Sequence, residues 1–338
     1  MKTIRCKMCG GTILVSEEQE VAKCEFCGTD QTLPKIKSEK IEQLYQRANN
    51  LRLNNEYDRA IVVYEEIICN NTNDSEAYWS VLLCKYGIEY IEDPYTKKRK
   101  PTCHRSQYTS ILNENYYKKA LSYASDKQKE LYQKEAMEID RIQKEILDIS
   151  KNVEKYDVFI CYKDIDNITN QRTIDSILAQ NIYDRLTSEG LKVFYARITL
   201  KDKLGLSYEP YIFSAINSAK VMLVVGTKVE YFNSPWMKNE WSRYLSLIKN
   251  GKSNYLIPIY RDINPCDLPS ELVYLQGLDM SKLEFEKELV KGIKKIINED
   301  GDSKQDTEAS LNNKSKIPEV NDALVKVKKF LLNLIEKI

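Results

Sequence analysis

The sequence predicts a multidomain protein in which a small cysteine-rich module and an all-α region precede an α/β domain with a central parallel sheet. Three observations support this organisation. Two C-x-x-C pairs lie close to the N-terminus, apolar residues recur at helical spacing over residues 39–150, and short apolar runs alternate with amphipathic stretches over residues 154–298. The length of 338 residues allows two or three domains.

The composition excludes several classes of protein. Hydrophobic residues make up 42% and charged residues 30% of the chain, as expected for globular domains. Because 51 Lys and Arg face 50 Asp and Glu, the net charge of +1 gives no chain-wide attraction to nucleic acid, which is not an expected partner. No apolar run approaches the ~20 residues that span a bilayer. The N-terminus also lacks the apolar core of a signal peptide, so we expect no membrane span and a cytoplasmic location.

Histidine chemistry is restricted as well. His104 is the single histidine, so mechanisms that need two are excluded, and an enzyme would depend on carboxylates, hydroxyls, thiols or lysines. Cys103 precedes it, and the two could form half of a metal site. No second pair is visible to complete such a site, and an ordinary loop is the expected setting.

Four of the nine cysteines form the N-terminal module. Cys6 and Cys9 make one C-x-x-C pair, Cys24 and Cys27 make a second one, and 14 residues separate the two pairs. Two such knuckles supply the four thiolates of a tetrahedral Zn²⁺ site, so residues 1–36 are expected to form a zinc ribbon. Four thiolates leave no open position, which makes the ion structural. The alternative is a set of free or redox-active thiols.

Residues 39–150 are expected to be helical and to resemble tetratricopeptide repeats. The apolar and small residues that predict the first two helices are Leu44, Ala48, Leu51, Ala60, Tyr64 and Ile67, with a break at Asn54 and Asn55. The Tyr-x-x-Ala pattern at Tyr57 recurs at Tyr117, 60 residues on rather than 34. An insertion near residues 87–110 explains the difference. It contains the basic run 97–100, for which a solvated loop is the alternative to a patch that binds a partner.

Residues 154–298 alternate between predicted strands and helices. The strands are expected at 156–162, 192–195, 221–226 and 255–260, and a last helix at about 283–297. Residues 299–319 are polar and are expected to form a linker. Residues 320–338 form an amphipathic pattern, which favours packing within the protein or its oligomer over a helix on a membrane surface.

The motifs of this α/β segment resemble those of the Toll/interleukin-1 receptor (TIR) domain. The sequence YDVFICYKD at 156–164 is similar to the first strand of that family, and residues 218–226 are similar to its third. Tyr231, Ser234, Trp236 and Glu240 fit a further motif. The resemblance implies a flavodoxin-like fold for residues 154–298, with a central parallel sheet.

The resemblance also implies a chemistry. TIR domains of the bacterial type cleave NAD⁺ between nicotinamide and ribose, using a glutamate at the start of the helix that follows a long loop. Glu209 lies at that position, so it is the expected catalytic residue. A carboxylate there could orient the ribose and stabilise an oxocarbenium-like centre. Taken without the family, Glu209 would be a favourable charge in the first turn of a helix.

Four further residues are implied as contacts of NAD⁺, which would be the substrate. Tyr162 and Lys163 follow the first strand, where relatives hold adenine or phosphate groups, and Trp236 matches a tryptophan near the nicotinamide. Arg197 lies in the long loop, which in relatives contacts a neighbouring copy. The alternatives are packing at the strand end for Tyr162, a core position for Trp236 and simple solvent exposure for Arg197.

The expected protein is therefore a TIR-domain NAD⁺ glycohydrolase or cyclase, a bacterial defence or signalling effector that is activated when TIR domains form a homo-oligomer. The helical repeats would bind a protein partner. The alternative is a TIR scaffold without enzymatic activity, which acts only through protein–protein contacts. A nucleic-acid role for the ribbon is disfavoured by the net charge.

Overall fold

The N-terminal segment of the computed structural model consists of two short antiparallel hairpins. The structure describes residues 2–16, 19–93, 98–166, 168–203 and 207–309, with side chains described from residue 3 to residue 298. Strand β1 (Lys2–Arg5) pairs with β2 (Thr12–Val15), and β3 (Val21–Lys23) pairs with β4 (Asp30–Thr32). Each hairpin carries one C-x-x-C pair in its turn. The arrangement is compatible with a zinc ribbon.

Three helices follow, and they bury most of the apolar positions that predicted them. They are α1 (Glu39–Leu53), α2 (Tyr57–Asn70) and α3 (Ser75–Lys85). The first turn between helices uses Asn55 at a positive φ of 58°, a conformation that asparagine tolerates. Ala48, Ala60 and Tyr64 are fully buried in the cluster that joins these helices.

The expected insertion forms a β-hairpin rather than a loop. Strand β5 (Ile88–Glu92) pairs with β6 (Arg99–Cys103) in antiparallel register. Arg99 and Lys100, from the basic run, lie in β6 and form ion pairs with Glu92 and Asp93. Residue 97 lies outside the described residues.

Two helices connect the hairpin to the α/β domain. Helix α4 (Asn115–Tyr123) is short, and α5 (Asp126–Ser150) begins with a capping box between Ser125 and Gln128. Ile139 and Ile146 are buried on one face of α5, as expected for a helix that packs against its neighbours.

The α/β domain contains a five-stranded parallel sheet, which confirms that prediction. Its elements in chain order are β7 (Val158–Tyr162), α6 (Ile174–Ser188), β8 (Val193–Phe194), α7 (Ala196–Thr199), α8 (Glu209–Ser218), β9 (Val221–Gly226), α9 (Val229–Phe232), α10 (Pro235–Lys249), β10 (Tyr255–Tyr260), β11 (Leu278–Asp279) and α11 (Phe285–Ala309). The strand order is β11-β10-β9-β7-β8. All six residues of β9 are buried, because the strand has a neighbour on each side and helices cover the sheet.

The ribbon, the helical region and the sheet belong to one compact unit, Met1–Lys291, and a second unit covers Gly292–Ile338. Helix α11 continues to Ala309, so the first part of the segment 299–319 is helical where a linker was expected. That stretch contains no proline, and its charged residues are acceptable in a helix. The amphipathic segment 320–338 lies outside the described residues. Within the described part of the chain, no helix is both long and apolar enough to cross a bilayer.

Candidate functional site

The four N-terminal cysteines lie together with a geometry that suits a tetrahedral ion. Their sulfur atoms are all within 4.8 Å of one another, with 3.8 Å between Cys6 and Cys27 and 3.7 Å between Cys9 and Cys24. Zinc–sulfur bonds of about 2.3 Å at tetrahedral angles would separate the sulfurs by about 3.8 Å. Main-chain N–H groups of Met8 and Gly11 point at the sulfurs of Cys6 and Cys9 from 3.4 Å. The donor set therefore fits a structural Zn²⁺.

Glu209 is the first residue of α8, and its carboxylate points into the protein. Pro210 follows it, in the first turn, where a missing N–H is tolerated. Only 6% of Glu209 is exposed. Its Oε1 accepts a hydrogen bond of 2.9 Å from Nη1 of Arg243, in an ion pair whose two side chains are both buried.

Arg243 connects this carboxylate to the helical region. Besides Glu209, its guanidinium donates to the main-chain oxygens of His104 at 3.0 Å and Ser106 at 3.2 Å, and it lies 5.3 Å from the centre of the Phe213 ring. The residues after β6 therefore enclose the ion pair from outside the α/β domain. In this conformation the carboxylate of Glu209 is paired with Arg243 and buried.

Burial changes the pKa of two carboxyl groups in this region. Burial raises the pKa of Glu209, and the nearby Arg243 offsets part of this effect. Burial also raises the pKa of Glu240 to about 7, and the negative charge of Glu209 adds to the increase. Both groups therefore hold a proton more readily than exposed carboxylates do.

Two exposed aromatic residues lie near the start of α8. Trp236 is 42% exposed and Tyr208 is 44% exposed, with 6.2 Å between their ring centres. The imidazole of His104 meets Trp236 edge-on at 5.1 Å. Trp236 is thus a surface residue near the start of α8 and not a core anchor.

The other predicted contacts of NAD⁺ gather at the carboxyl end of β7. Tyr162 ends that strand, and its ring lies 4.9 Å from that of Tyr195. Lys163 follows Tyr162 in the chain. Arg197, in α7, reaches Asp164 at 3.4 Å. This edge of a parallel sheet is where open α/β folds bind ligands.

Phe213 of α8 lines two cavities, and Glu209 lines neither of them. One of about 960 Å³ is lined by Lys144 and Lys151 of α5 together with Lys192 and Phe213. Another of about 480 Å³ is lined by Asp58, Arg105, Ser106 and Arg243 among others. The second reaches the outer side of the residues that enclose the ion pair.

Sequence reasoning missed Arg243 and the residues around His104. Arg243 lies seven residues after Trp236, so the two occupy the same face of α10, and that spacing was the available signal. No comparable signal marked residues 104–106, because their role depends on a contact across more than a hundred residues.

Comparison with known proteins assigns the α/β segment. Residues 158–295 match the family model of the TIR domain. No curated protein matches the chain. The chain therefore carries a TIR domain at residues 158–295, preceded by a helical region and by a cysteine cluster that could hold a metal ion.

Proposed function

We propose that the TIR domain cleaves NAD⁺ between nicotinamide and ribose, and that Glu209 is the catalytic carboxylate. The observation that carries this proposal is the position of Glu209 at the first residue of α8 in a matched TIR domain, beside the exposed rings of Tyr208 and Trp236. Members of the family include enzymes of this type, and this chain has Glu209 at the position where the resemblance implies a catalytic glutamate.

The proposed reaction needs one acidic side chain and no histidine. The bond between C1′ of the ribose and the pyridinium nitrogen breaks, its electrons pass to the nitrogen, and neutral nicotinamide leaves. The ribose becomes oxocarbenium-like, and an ionised Glu209 stabilises that charge. Water then adds at C1′ and releases a proton to give ADP-ribose, or a nitrogen of the adenine adds to give a cyclic product.

The remaining predicted residues would bind the dinucleotide. Tyr162 offers a ring on which adenine stacks, and the ammonium of Lys163 and the guanidinium of Arg197 offer charge to the phosphates. Trp236 would contact the nicotinamide. We propose that self-association of TIR domains supports activity and that the protein acts as a defence or signalling effector, with a structural zinc ion in the ribbon.

A non-enzymatic scaffold is the second candidate, and one observation favours it. The carboxylate of Glu209 is enclosed and paired with Arg243, as a purely structural glutamate would be. Under the enzymatic proposal, the described conformation is a resting form, and the carboxylate must be uncovered before NAD⁺ reaches it.

The two candidates are separated by NAD⁺ consumption in the full-length protein. We expect concentrated wild-type protein to release nicotinamide, and Glu209→Gln to abolish this release while keeping a folded circular-dichroism spectrum. Glu271→Gln changes an exposed glutamate of the same domain and serves as the matched control. Equal nicotinamide release from wild type and Glu209→Gln would refute Glu209 as the catalytic carboxylate. No release from wild type under any activating condition would leave only the scaffold.

A further inference from the structure

Three consecutive residues after β6 lie against the TIR domain over Glu209. These residues, His104, Arg105 and Ser106, are named the latch here. Main-chain oxygens of its first and last residues accept from the guanidinium of Arg243, which itself holds the carboxylate of Glu209. All three latch residues are buried. The latch therefore contributes directly to the enclosure of the proposed catalytic group.

Arg105 holds the latch in place through contacts with two helices, α10 and α2. Toward α10 its Nε donates to Asn239 and its Nη2 donates to Ser242, both at 2.7 Å. Toward α2 its guanidinium makes a two-pronged contact with the carboxylate of Asp58, at 2.8 and 3.0 Å. A bidentate pair of this kind fixes both distance and orientation. Arg105 is thus the side chain that joins the helical region to α10 at this point.

Most contacts of the latch are polar, although the His104 ring meets Trp236 and the Arg105 guanidinium lies 5.1 Å from the centre of the Tyr57 ring. Near Asp58 and Asn239 in the chain, Lys238 of α10 lies 3.7 Å from Glu56, which precedes α2. Water can replace ion pairs and hydrogen bonds at modest net cost, whereas an apolar contact must expose its surface to open. The cavity of about 480 Å³ is lined by Asp58, Arg105 and Ser106, so the latch borders open space rather than packed core.

The latch residues themselves are not part of the apolar clusters to which α8 contributes. Phe213 of α8 lies 5.3 Å from the ring of Tyr108 and belongs to the apolar cluster of the helical region. Opening of the latch can therefore be local. It would displace residues 104–106 and leave the packing of the two regions intact.

From these contacts we propose that the latch is an autoinhibitory contact, which blocks access of NAD⁺ to Glu209 until it is displaced. The inference rests on the proposed NAD⁺ cleavage. When the latch opens, Arg243 loses two main-chain partners and the carboxylate becomes reachable from the side of Trp236 and Tyr208. Activation then requires that Arg105 breaks its contacts with Asp58 and with α10.

The test reverses charges across the latch in the full-length protein. Asp58→Arg and Arg105→Glu each place like charges together and should raise the rate of NAD⁺ cleavage roughly 5–150-fold, the usual range for coupled sites. The double variant restores an opposite-charge pair, and a glutamate at 105 can accept from the hydroxyl of Ser242, so its rate should return toward wild type. Asp148→Arg breaks an exposed ion pair with Lys151 on α5 and is the matched control, with no expected change.

A second readout follows the latch without relying on activity. His104 is the single histidine of the chain, and its ring meets Trp236 edge-on, so its imidazole NMR signal reports on the latch alone. We expect a shift of that signal in both single variants, loss of the shift in the double variant, and no shift in Asp148→Arg. Thermal melts verify that each variant is folded.

The outcomes separate the two proposals. Activation together with the signal shift, abolished by adding Glu209→Gln, supports both. A signal shift with no NAD⁺ cleavage in any variant overturns the enzymatic proposal and not the latch contact. Wild-type activity equal to that of the shifted single variants overturns autoinhibition and leaves the enzyme. An unshifted His104 signal in folded single variants overturns the latch.

Discussion

At the scale of single residues, the ion pair between Glu209 and Arg243 dominates the candidate site. A charge in the interior is tolerated only when a partner and hydrogen bonds compensate for the lost water. Here the two side chains compensate each other, and the main-chain oxygens of His104 and Ser106 accept from two further donors of the guanidinium. The pair therefore stabilises the fold and also holds the carboxylate in its buried resting conformation.

Removal of the arginine should destabilise the fold strongly. Arg243→Gln leaves Glu209 buried without its cation, for which we expect a loss of about 3–5 kcal/mol in the free energy of unfolding, measured by urea denaturation. The double variant Glu209→Gln/Arg243→Gln removes both charges and should lose less. Arg141→Gln breaks exposed ion pairs on α5 and should cost below about 1 kcal/mol. A loss for Arg243→Gln no larger than for Arg141→Gln would contradict the importance of the pair.

Glu240 should make stability depend on pH in a defined window. Its pKa rises from 4.5 to about 7 on folding, so the folded state binds a proton that the unfolded state releases. The stability that this group contributes is complete below pH 4.5 and is lost as the pH rises through 7. Glu240→Gln has no such group. The free energy of unfolding of this variant, relative to wild type, should therefore rise between pH 4.5 and 7 and then level off. If the difference between the two proteins stays constant across that range, the raised pKa of Glu240 is refuted.

At this scale the sequence predicted the position of Glu209 and failed to predict its surroundings. The register of a TIR domain places an acidic residue at the start of α8, which a sequence can reveal. The partner Arg243 lies 34 residues further on and the latch lies more than a hundred residues before, and no local pattern encodes those contacts. The buried state of the carboxylate could therefore be found only in three dimensions.

At the scale of elements, two of the four predicted strands agree with the structure to the residue. Strands β9 and β10 have the expected bounds, because each is one continuous apolar run that neighbouring polar residues delimit. Strand β7 begins at Val158, two residues after its predicted start. The short edge strand β8 covers only two of the four expected residues. The hairpin of β5 and β6 was expected as a loop, since its prolines and basic run hide the alternation of a strand.

The turn at Gly87 controls the position of the latch. Gly87 has a positive φ of 58°, and a Cβ atom there would lie 2.9 Å from the side chain of Arg105. Gly87→Ala should therefore cost about 1 kcal/mol or more in stability and also displace Arg105. Gly190→Ala is the matched control, because Gly190 has a φ of 85° with no atom in reach of a Cβ.

The two alanine variants are compared by urea denaturation and by the NMR signal of His104. We expect both to lose stability and only Gly87→Ala to shift the signal. An unchanged His104 signal in Gly87→Ala would show that the turn does not set the position of the latch.

At the scale of the whole molecule, polar side chains hold the cysteine module against the helices. The ammonium of Lys7 reaches Glu76 of α3 at 2.7 Å and the hydroxyl of Thr32 at 2.6 Å, and all three residues are buried. Lys7 lies between Cys6 and Cys9 in the first knuckle. The ribbon and the helical region therefore depend on each other for the burial of these charges.

Loss of a metal ligand should weaken this arrangement. Cys24→Ser removes one of four sulfur donors, so we expect the protein to lose a bound zinc ion, which native mass spectrometry would detect. We also expect a lower melting temperature, because a module this small has little core of its own. Cys69→Ser alters an exposed cysteine outside the cluster and should change neither measurement. Full metal content in Cys24→Ser would show that the four sulfurs do not act as one site.

Arg52 links the cysteine module to the hairpin of β5 and β6. One guanidinium donates at 2.5 Å to the carbonyl oxygen of Lys7 and at 3.4 Å to that of Ile88, and Ile88 pairs with Cys103, the neighbour of the latch. A single buried cation thus bridges the knuckle and the strand ladder that leads to His104. The ribbon and the hairpin should consequently melt as one cooperative foldon, with amide hydrogens in both exchanging at a common rate.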